Sequence, residues 1–273
     1  MDINNFVIER VRRATMFSTS TGEAMWNINQ VEEPALNVTT EKAEAVDAMG
    51  VKIAEFDRAK NAEFTAQNSL FDFGLAAAQF GREKEVATET ATLVVPKWEE
   101  IKVTQAMIDE GAVTLQEVPV GVAGAEIPFI YTLNGDGSLK NKFAIGAEAN
   151  AAAFALAAAD KKITLPTGLT AGVRLWIPYE FAAASAVVVS NTAIDFPKAG
   201  KFVMEVLGSD VCDPSKKYYA YIEFPNAKLS GDVDFTFTTE GKHPFTIQAM
   251  QQYCDEEKRL FSIKIPEVAT TAA

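Results

Sequence analysis

The part of the sequence that decides the fold is residues 55–81, EFDRAKNAEFTAQNSLFDFGLAAAQFG, where a strand pattern passes into a helix pattern. Alternation in its first half places one set of apolar residues on one face of a strand: Phe56, Ala62, Phe64 and Ala66. Asn68 or Ser69 can then cap a helix that ends at Gly81 and whose apolar stripe is Leu70, Phe73, Ala77 and Phe80. Because one apolar stripe cannot bury itself, we expect the helix to pack against a sheet.

The rest of the chain has the pattern of short strands separated by turns. A first strand is predicted at 23–31, and residues 37–57 form either a long hairpin or an extended loop. Further strands are predicted at 92–95, 101–103, 113–115, 127–133, 173–181, 186–190, 201–207, 217–224, 233–239, 243–250 and 260–265. The sequence therefore predicts a mainly β fold of two packed antiparallel sheets, a sandwich or partial barrel, with one flanking α-helix.

Composition limits the classes of function. The chain has 273 residues, a formal net charge of −12 and a pI of about 4.7, so it repels the phosphate backbone of nucleic acids. Residues 1–20 have no apolar run after their arginines and are expected to form an arm, neither a signal peptide nor a membrane span. Residues 147–159 contain nine alanines and are expected to form a short helix or a low-complexity loop. Cys212 and Cys254 give no disulfide framework and are expected to be reduced thiols.

No motif carries catalytic or metal chemistry. His243 is the only histidine, lies in a predicted turn, and has no Gly-x-Ser-x-Gly nucleophile motif to serve. The oxygen-rich run 134–138 fails as a calcium loop because Ile145 stands where a bidentate glutamate is needed. Asp232 and Asp234 could face one ion from a strand, although a solvated strand start explains them better. We therefore predict no enzyme and no catalytic, cofactor-binding or metal residues. The default for Trp26, Trp98 and Trp176 is core or interface packing.

Several short motifs, in a fixed order along the chain, resemble the tail tube proteins of tailed bacteriophages. They are GEAMW at 22–26, Met49-Gly50, FDR at 56–58, AEFT at 62–65, the helix 69–81, WIPYE at 176–180, Phe196-Pro197, FPNAKL at 224–229 and GKHPF at 241–245. The resemblance covers residues 22–265. Residues 97–160 resemble such proteins least and are predicted to be an insertion within a single domain spanning 1–273. His243 stands where the family leads us to expect an acidic residue.

The resemblance implies a structural protein of the virion tail, assembled in the host cytoplasm without a membrane. Such subunits form hexameric rings that stack into a tube around a tape-measure protein and the genome, which they do not bind by sequence. Baseplate and terminator proteins, and a contractile sheath, are further implied partners. We expect the 1–21 and 37–57 segments to make contacts between subunits, and acidic residues to line the lumen so that DNA slides. Replacing lumen acids with lysine should then slow genome ejection.

Three alternatives remain open from the sequence. A head-decoration or baseplate protein would form a closed oligomer that does not polymerise. The tube of a bacterial contractile injection machine would share the fold. A β-sandwich hydrolase would need paired carboxylates in a cleft.

Overall fold

The computed structural model describes residues 5–212, 214–253 and 256–266. Within these ranges 52% of the chain is strand and 6% is helical, which confirms a mainly β fold. The elements to the end of the first third are β1 Phe6–Phe17, β2 Ala24–Ile28, β3 Val31–Val46, β4 Lys52–Asn68, α1 Phe73–Gln79 and β5 Glu85–Val86. The middle elements are β6 Leu93–Lys102, α2 Gln105–Glu110, β7 Ala112–Thr114, β8 Pro119–Val120, β9 Phe129–Leu133, β10 Leu139–Ile145, β11 Ala153–Ala157, a 3₁₀ turn Ala158–Asp160 and β12 Lys162–Thr164. The last are β13 Arg174–Ala183, β14 Val187–Val188, β15 Ala199–Asp210, β16 Lys217–Leu229, β17 His243–Ala249 and β18 Ser262–Lys264.

Contacts divide the chain into two units, one made of residues 1–84 and 189–273 and the other of residues 85–188. The second unit thus interrupts the sequence of the first. The range predicted as an insertion, 97–160, lies inside the second unit, while the single-domain prediction stays a prediction.

The first unit is one curved antiparallel sheet in the strand order β2-β1-β15-β16-β17-β4-β3, with β18 beside β16. Its concave face holds a core of aromatic rings that contact one another at centroid distances of 5.5–6.0 Å: Trp26, Phe64, Phe202, Phe224 and Phe245. Each buried ring of this size contributes about 1.5–3 kcal/mol. The sheet therefore curls around its own core as a half-barrel, which confirms the partial barrel of the predicted fold class, while the sandwich of two packed sheets does not describe this unit.

The helix predicted beside this sheet is present, but it begins later than expected. The N-cap is Asp72, whose carboxylate accepts a hydrogen bond from the Leu75 N–H at 2.7 Å. Asn68 cannot cap the helix because it completes β4, where it pairs with β3 and β17. The predicted end is confirmed, since Gly81 has φ +76° and lies against the backbone of Phe196.

Two further predictions about the first unit are wrong. The expected N-terminal arm is β1, a strand between β2 and β15 with Ala14 and Met16 fully buried, because its inward side chains complete the core. The strand predicted at 233–239 is irregular backbone. The hairpin at 37–57 is confirmed, as the distal part of β3 and β4.

The second unit has its own sheet in the order β6-β13-β9-β10-β11-β12-β7, with β8 beside β13. Its core contains Ile130, Phe154, Ile163, Leu175 and Ile177, all fully buried. Two features correct the predicted fold class: β10 and β11 pair in parallel, and a second helix, α2, is capped by Thr104. The alanine-rich run contains β11, because Phe154 provides a core side chain and the alanines beside it allow close strand packing.

The two ends of the second unit are neighbours. β5 pairs antiparallel with β14, so that Glu85 lies opposite Val188 and Val86 opposite Val187. The chain therefore leaves and re-enters the first unit at adjacent points.

Candidate assembly surfaces

The longest hairpin of the first unit extends beyond the sheet that supports it. β3 and β4 pair with each other from Val31 opposite Asn68 to Val46 opposite Lys52. β17, however, pairs with β4 only from Glu63 to Asn68. The remaining length, residues 38–62, is a two-stranded ribbon, which we call the distal ribbon.

The distal ribbon has one apolar face. Ala43 lies opposite Phe56, and Ala45 lies opposite Ala54. Opposite residues share a face of a strand pair, as do residues two apart. Phe56 is 59% exposed, and Met49 at the tip of the ribbon is 85% exposed.

The other face of the distal ribbon is charged. Lys42 lies opposite Asp57 and Glu44 opposite Glu55. Lys42 forms an ion pair with Glu55, and the Lys52 Nζ lies 2.7 Å from the Glu44 carboxylate. These contacts lower the pKa of Glu55 and raise the pKa of Lys42, in each case chiefly through their shared hydrogen bond. Over residues 42–45 and 54–57 the ribbon is thus charged on one side and apolar on the other.

A register shift explains why the sequence does not reveal this amphipathic character. Glu41 pairs with Ala59 but Lys42 pairs with Asp57, so Arg58 is an extra residue in β4. A bulge of this kind exchanges the faces of all residues beyond it. Phe56 therefore faces away from the side on which Ala62 and Phe64 are buried, although all three have even numbers. The predicted shared face of Phe56 and Ala62 is wrong for this reason.

An aromatic cluster lies at the other end of β4. Phe71 contacts Phe73, Phe235 and Phe237, with ring centroids 5.2, 5.4 and 6.3 Å away. Phe237 is 84% exposed and Leu70 64%. β4 is 17 residues long, so the cluster and the tip of the distal ribbon are roughly 50 Å apart.

His243 lies beneath this cluster and is fully buried rather than placed in a turn. Its ring stacks on Phe71 at 5.0 Å. The Asp72 backbone N–H donates to Nδ1 at 3.2 Å, so Nε2 carries the proton and donates to the Gln79 amide oxygen at 2.7 Å. Burial lowers the pKa of His243 to about 4, against a smaller opposing effect of Asp72. His243 therefore joins β17 to α1 as a neutral structural residue.

The other residues considered from the sequence do not come together as a catalytic site. Asp232 and Asp234 lie in irregular backbone, not in a strand. Residues 134–138 form the turn between β9 and β10, and the Asp136 carboxylate accepts the Ser138 N–H at 3.0 Å. In the described ranges no three His, Cys, Asp or Glu side chains are grouped so as to hold a metal ion. Cys212 is exposed, whereas Cys254 lies outside the described residues.

The tryptophans have different environments. Trp26 is in the core of the first unit at 4% exposure, as predicted. Trp98 in the second unit is 71% exposed, so it does not belong to a core. The strand pattern of residues 93–103 does not by itself show which side of the strand is exposed. Only the residues that pack against the strand decide this.

These observations define a class of protein: a β protein whose described surface offers an exposed, amphipathic strand pair and an aromatic cluster. Among the described residues no helix is both long and apolar enough to cross a membrane. The model of the YomU/Tube protein family matches residues 6–259, so the chain belongs to that family. The resemblance to phage tail tube proteins is thereby confirmed. No curated protein matches the chain.

Proposed function

We propose that this protein is the structural subunit of a phage tail tube, which polymerises as stacked hexameric rings and conducts the genome into the host. The family membership supports the tube, and the distal ribbon supports the polymerisation. The protein has no enzymatic activity in this proposal. It belongs to the virion tail and assembles in the host cytoplasm. Its other partners are a tape-measure protein, DNA that passes without sequence-specific binding, baseplate and terminator proteins, and a sheath if the tail is contractile.

The single observation that carries the proposal is the distal ribbon. A two-stranded ribbon is marginally stable alone, and a long unpaired edge such as β3 favours pairing with another chain. The apolar face at Phe56 adds a surface that gains stability when a second copy covers it. Contact between unlike surfaces on successive copies produces rings when the rotation closes and filaments when it does not.

The proposal is tested by electron microscopy of the purified chain across a concentration series. We expect hexameric rings and hollow filaments of uniform width. The variant Phe56→Ser removes about 1.5–3 kcal/mol of apolar contact at each interface, so the concentration needed for assembly should rise roughly 10- to 100-fold.

Asp57→Asn is the matched control, because it changes the opposite face of the same strand, one residue away. It should assemble at the wild-type concentration. Phe56→Ser filaments forming at the wild-type concentration would show that the ribbon is not the interface. A chain that stays monomeric throughout would contradict self-polymerisation.

Deletion of residues 1–20 does not test the predicted role of the N-terminus. It would remove β1, whose Ala14 and Met16 are fully buried, and so it would test folding instead of assembly.

A discrete closed ring that never stacks would favour the head-decoration or baseplate alternative. Tubes of identical form are expected for the contractile injection machine, which differs in cargo.

A further inference from the structure

The second unit exposes aromatic rings on the outer face of its sheet. Trp98 of β6, Trp176 of β13 and Tyr131 of β9 stand on three adjacent strands. The centroid of Trp176 lies 6.2 Å from that of Trp98 and 5.6 Å from that of Tyr131. Trp98 is 71% exposed, and Trp176 and Tyr131 are half-buried. The three rings form a continuous strip across the strands, which we call the aromatic strip.

Hydrogen-bonding groups lie directly beside these rings. Glu100 is the register partner of Trp176, and its carboxylate accepts from the Arg174 Nε at 2.5 Å. Lys142 is the register partner of Tyr131, and its ammonium lies 4.5 Å from the centroid of the Phe129 ring. Ring faces and charged groups therefore alternate over a short distance.

This alternation fits a sugar chain better than a protein surface. The C–H faces of sugar rings stack on aromatic rings, while the hydroxyl groups at their edges need donors and acceptors close by. The spacing of Trp98, Trp176 and Tyr131 allows the three rings to contact successive sugars of an extended chain. A protein partner would instead have to desolvate the Glu100–Arg174 ion pair, and stable protein interfaces need about 800 Å² from each side.

Charge argues against single-stranded nucleic acid, the other polymer that stacks on aromatic side chains. Bases of single-stranded nucleic acid stack on such platforms, but they require a positively charged groove for the phosphates. The strand positions on the same face as the aromatic strip carry three basic side chains, Lys102, Arg174 and Lys142, and two acidic ones, Glu100 and Glu180. This nearly balanced charge does not form the strongly positive groove that phosphates or an anionic polysaccharide require, so a neutral glycan fits the face better.

We propose that the aromatic strip is a binding site for a neutral, extended oligosaccharide, with Trp98 as its principal stacking residue. Trp176 and Tyr131 extend the contact along the chain. Glu100, Arg174 and Lys142 provide the hydrogen bonds to hydroxyl groups. The site does not depend on polymerisation of the protein.

The test is isothermal titration calorimetry of the full chain with cellohexaose and chitohexaose, followed in parallel by tryptophan fluorescence. We expect saturable binding of at least one of them and a change in tryptophan emission. Trp98→Ala should weaken binding about tenfold, because it removes a stacking contact of roughly 1–1.5 kcal/mol. Trp98→Phe, which keeps a ring, should recover most of that loss.

Phe237→Ala is the matched control, since it truncates an aromatic side chain of similar exposure in the first unit. It should bind as the wild type does. An equal loss in Phe237→Ala and Trp98→Ala, or no binding of either sugar, would overturn the proposal. A proline decapeptide that binds through Trp98 where the sugars do not would also overturn it, because PPII peptides are the other common ligand of exposed aromatic residues.

Discussion

At the scale of single residues, His243 shows how burial decides the role of a titratable side chain. Its two ring nitrogens are occupied by the Asp72 N–H and the Gln79 amide, and the Gln79 side chain in turn donates to the Pro244 carbonyl at 2.9 Å. A proton added at Nδ1 would oppose the Asp72 N–H, so the folded protein keeps this imidazole neutral. The chain of bonds links the start and end of α1 to β17.

The depressed pKa of His243 makes stability depend on pH. Because the pKa is about 4 in the folded chain and about 6.5 when unfolded, only the unfolded chain takes up the proton between those values. The free energy of unfolding should therefore fall, as pH drops from 6.5 to 4, by up to about 1.4 kcal/mol per pH unit from this residue. Above pH 6.5 the histidine should contribute no pH dependence.

Chemical denaturation of the wild type and His243→Gln, at intervals from pH 4 to pH 8, isolates this contribution. Carboxylates titrate in both proteins, so the difference between the two curves belongs to the histidine. Parallel curves from pH 6.5 to pH 4 would contradict the assignment of a buried neutral imidazole.

At the scale of elements, the C-cap of α1 is followed by a position that only glycine fits. Gly81 has φ +76°, and a Cβ there would lie 2.4 Å from the backbone of Phe196. Gly22 has a similar φ of +75° in the same unit, yet a Cβ there would meet nothing within 4 Å. The two glycines therefore separate the cost of backbone conformation from the cost of contact.

Gly22→Ala should lower the free energy of unfolding by about 1–2 kcal/mol, the cost of a left-handed conformation for an L-residue. Gly81→Ala should lower it by roughly 1–3 kcal/mol more, because backbone atoms of Phe196 cannot move as a side chain can. Thermal and urea unfolding of both variants measure the difference. Equal losses would mean that the approach of Phe196 to Gly81 is not tight in solution.

At the scale of the whole molecule, the second unit is inserted between two parts of the first. Because Glu85 and Val188 are register partners, Lys84 and Val189 are close enough to be joined by a short Gly-Ser-Gly linker. The chain without residues 85–188 keeps every strand of the first sheet. We expect it to fold alone.

Trp26 provides the measurement, since it becomes the only tryptophan when Trp98 and Trp176 are removed. At 4% exposure in the core, it should emit at short wavelength in the folded shortened chain and shift to longer wavelength on unfolding. Long-wavelength emission before any denaturant is added would show that the first unit needs the second. Long-wavelength emission is the result that follows from the prediction of a single domain.

The sequence by itself determined the elements whose local pattern agrees with their environment. The left-handed Gly81 just after α1 follows from backbone chemistry alone, and β13, β15, β16 and β17 follow from apolar alternation. Membership of the tail tube family was also readable, because its motifs keep their order along the chain. The sequence also showed that it contains no recognisable catalytic motif, because the residue types that such motifs need do not occur at the required spacing.

Only the tertiary structure decided which faces those elements present. The bulge at Arg58 turns Phe56 away from the buried side, and β1 is a strand only because β2 and β15 lie on either side of it. Similarly, the burial of His243 and the exposure of Trp98 depend on strands distant in sequence. Local patterns report the period of a segment, whereas burial depends on what packs against it, and that is set by pairing between residues far apart in the chain.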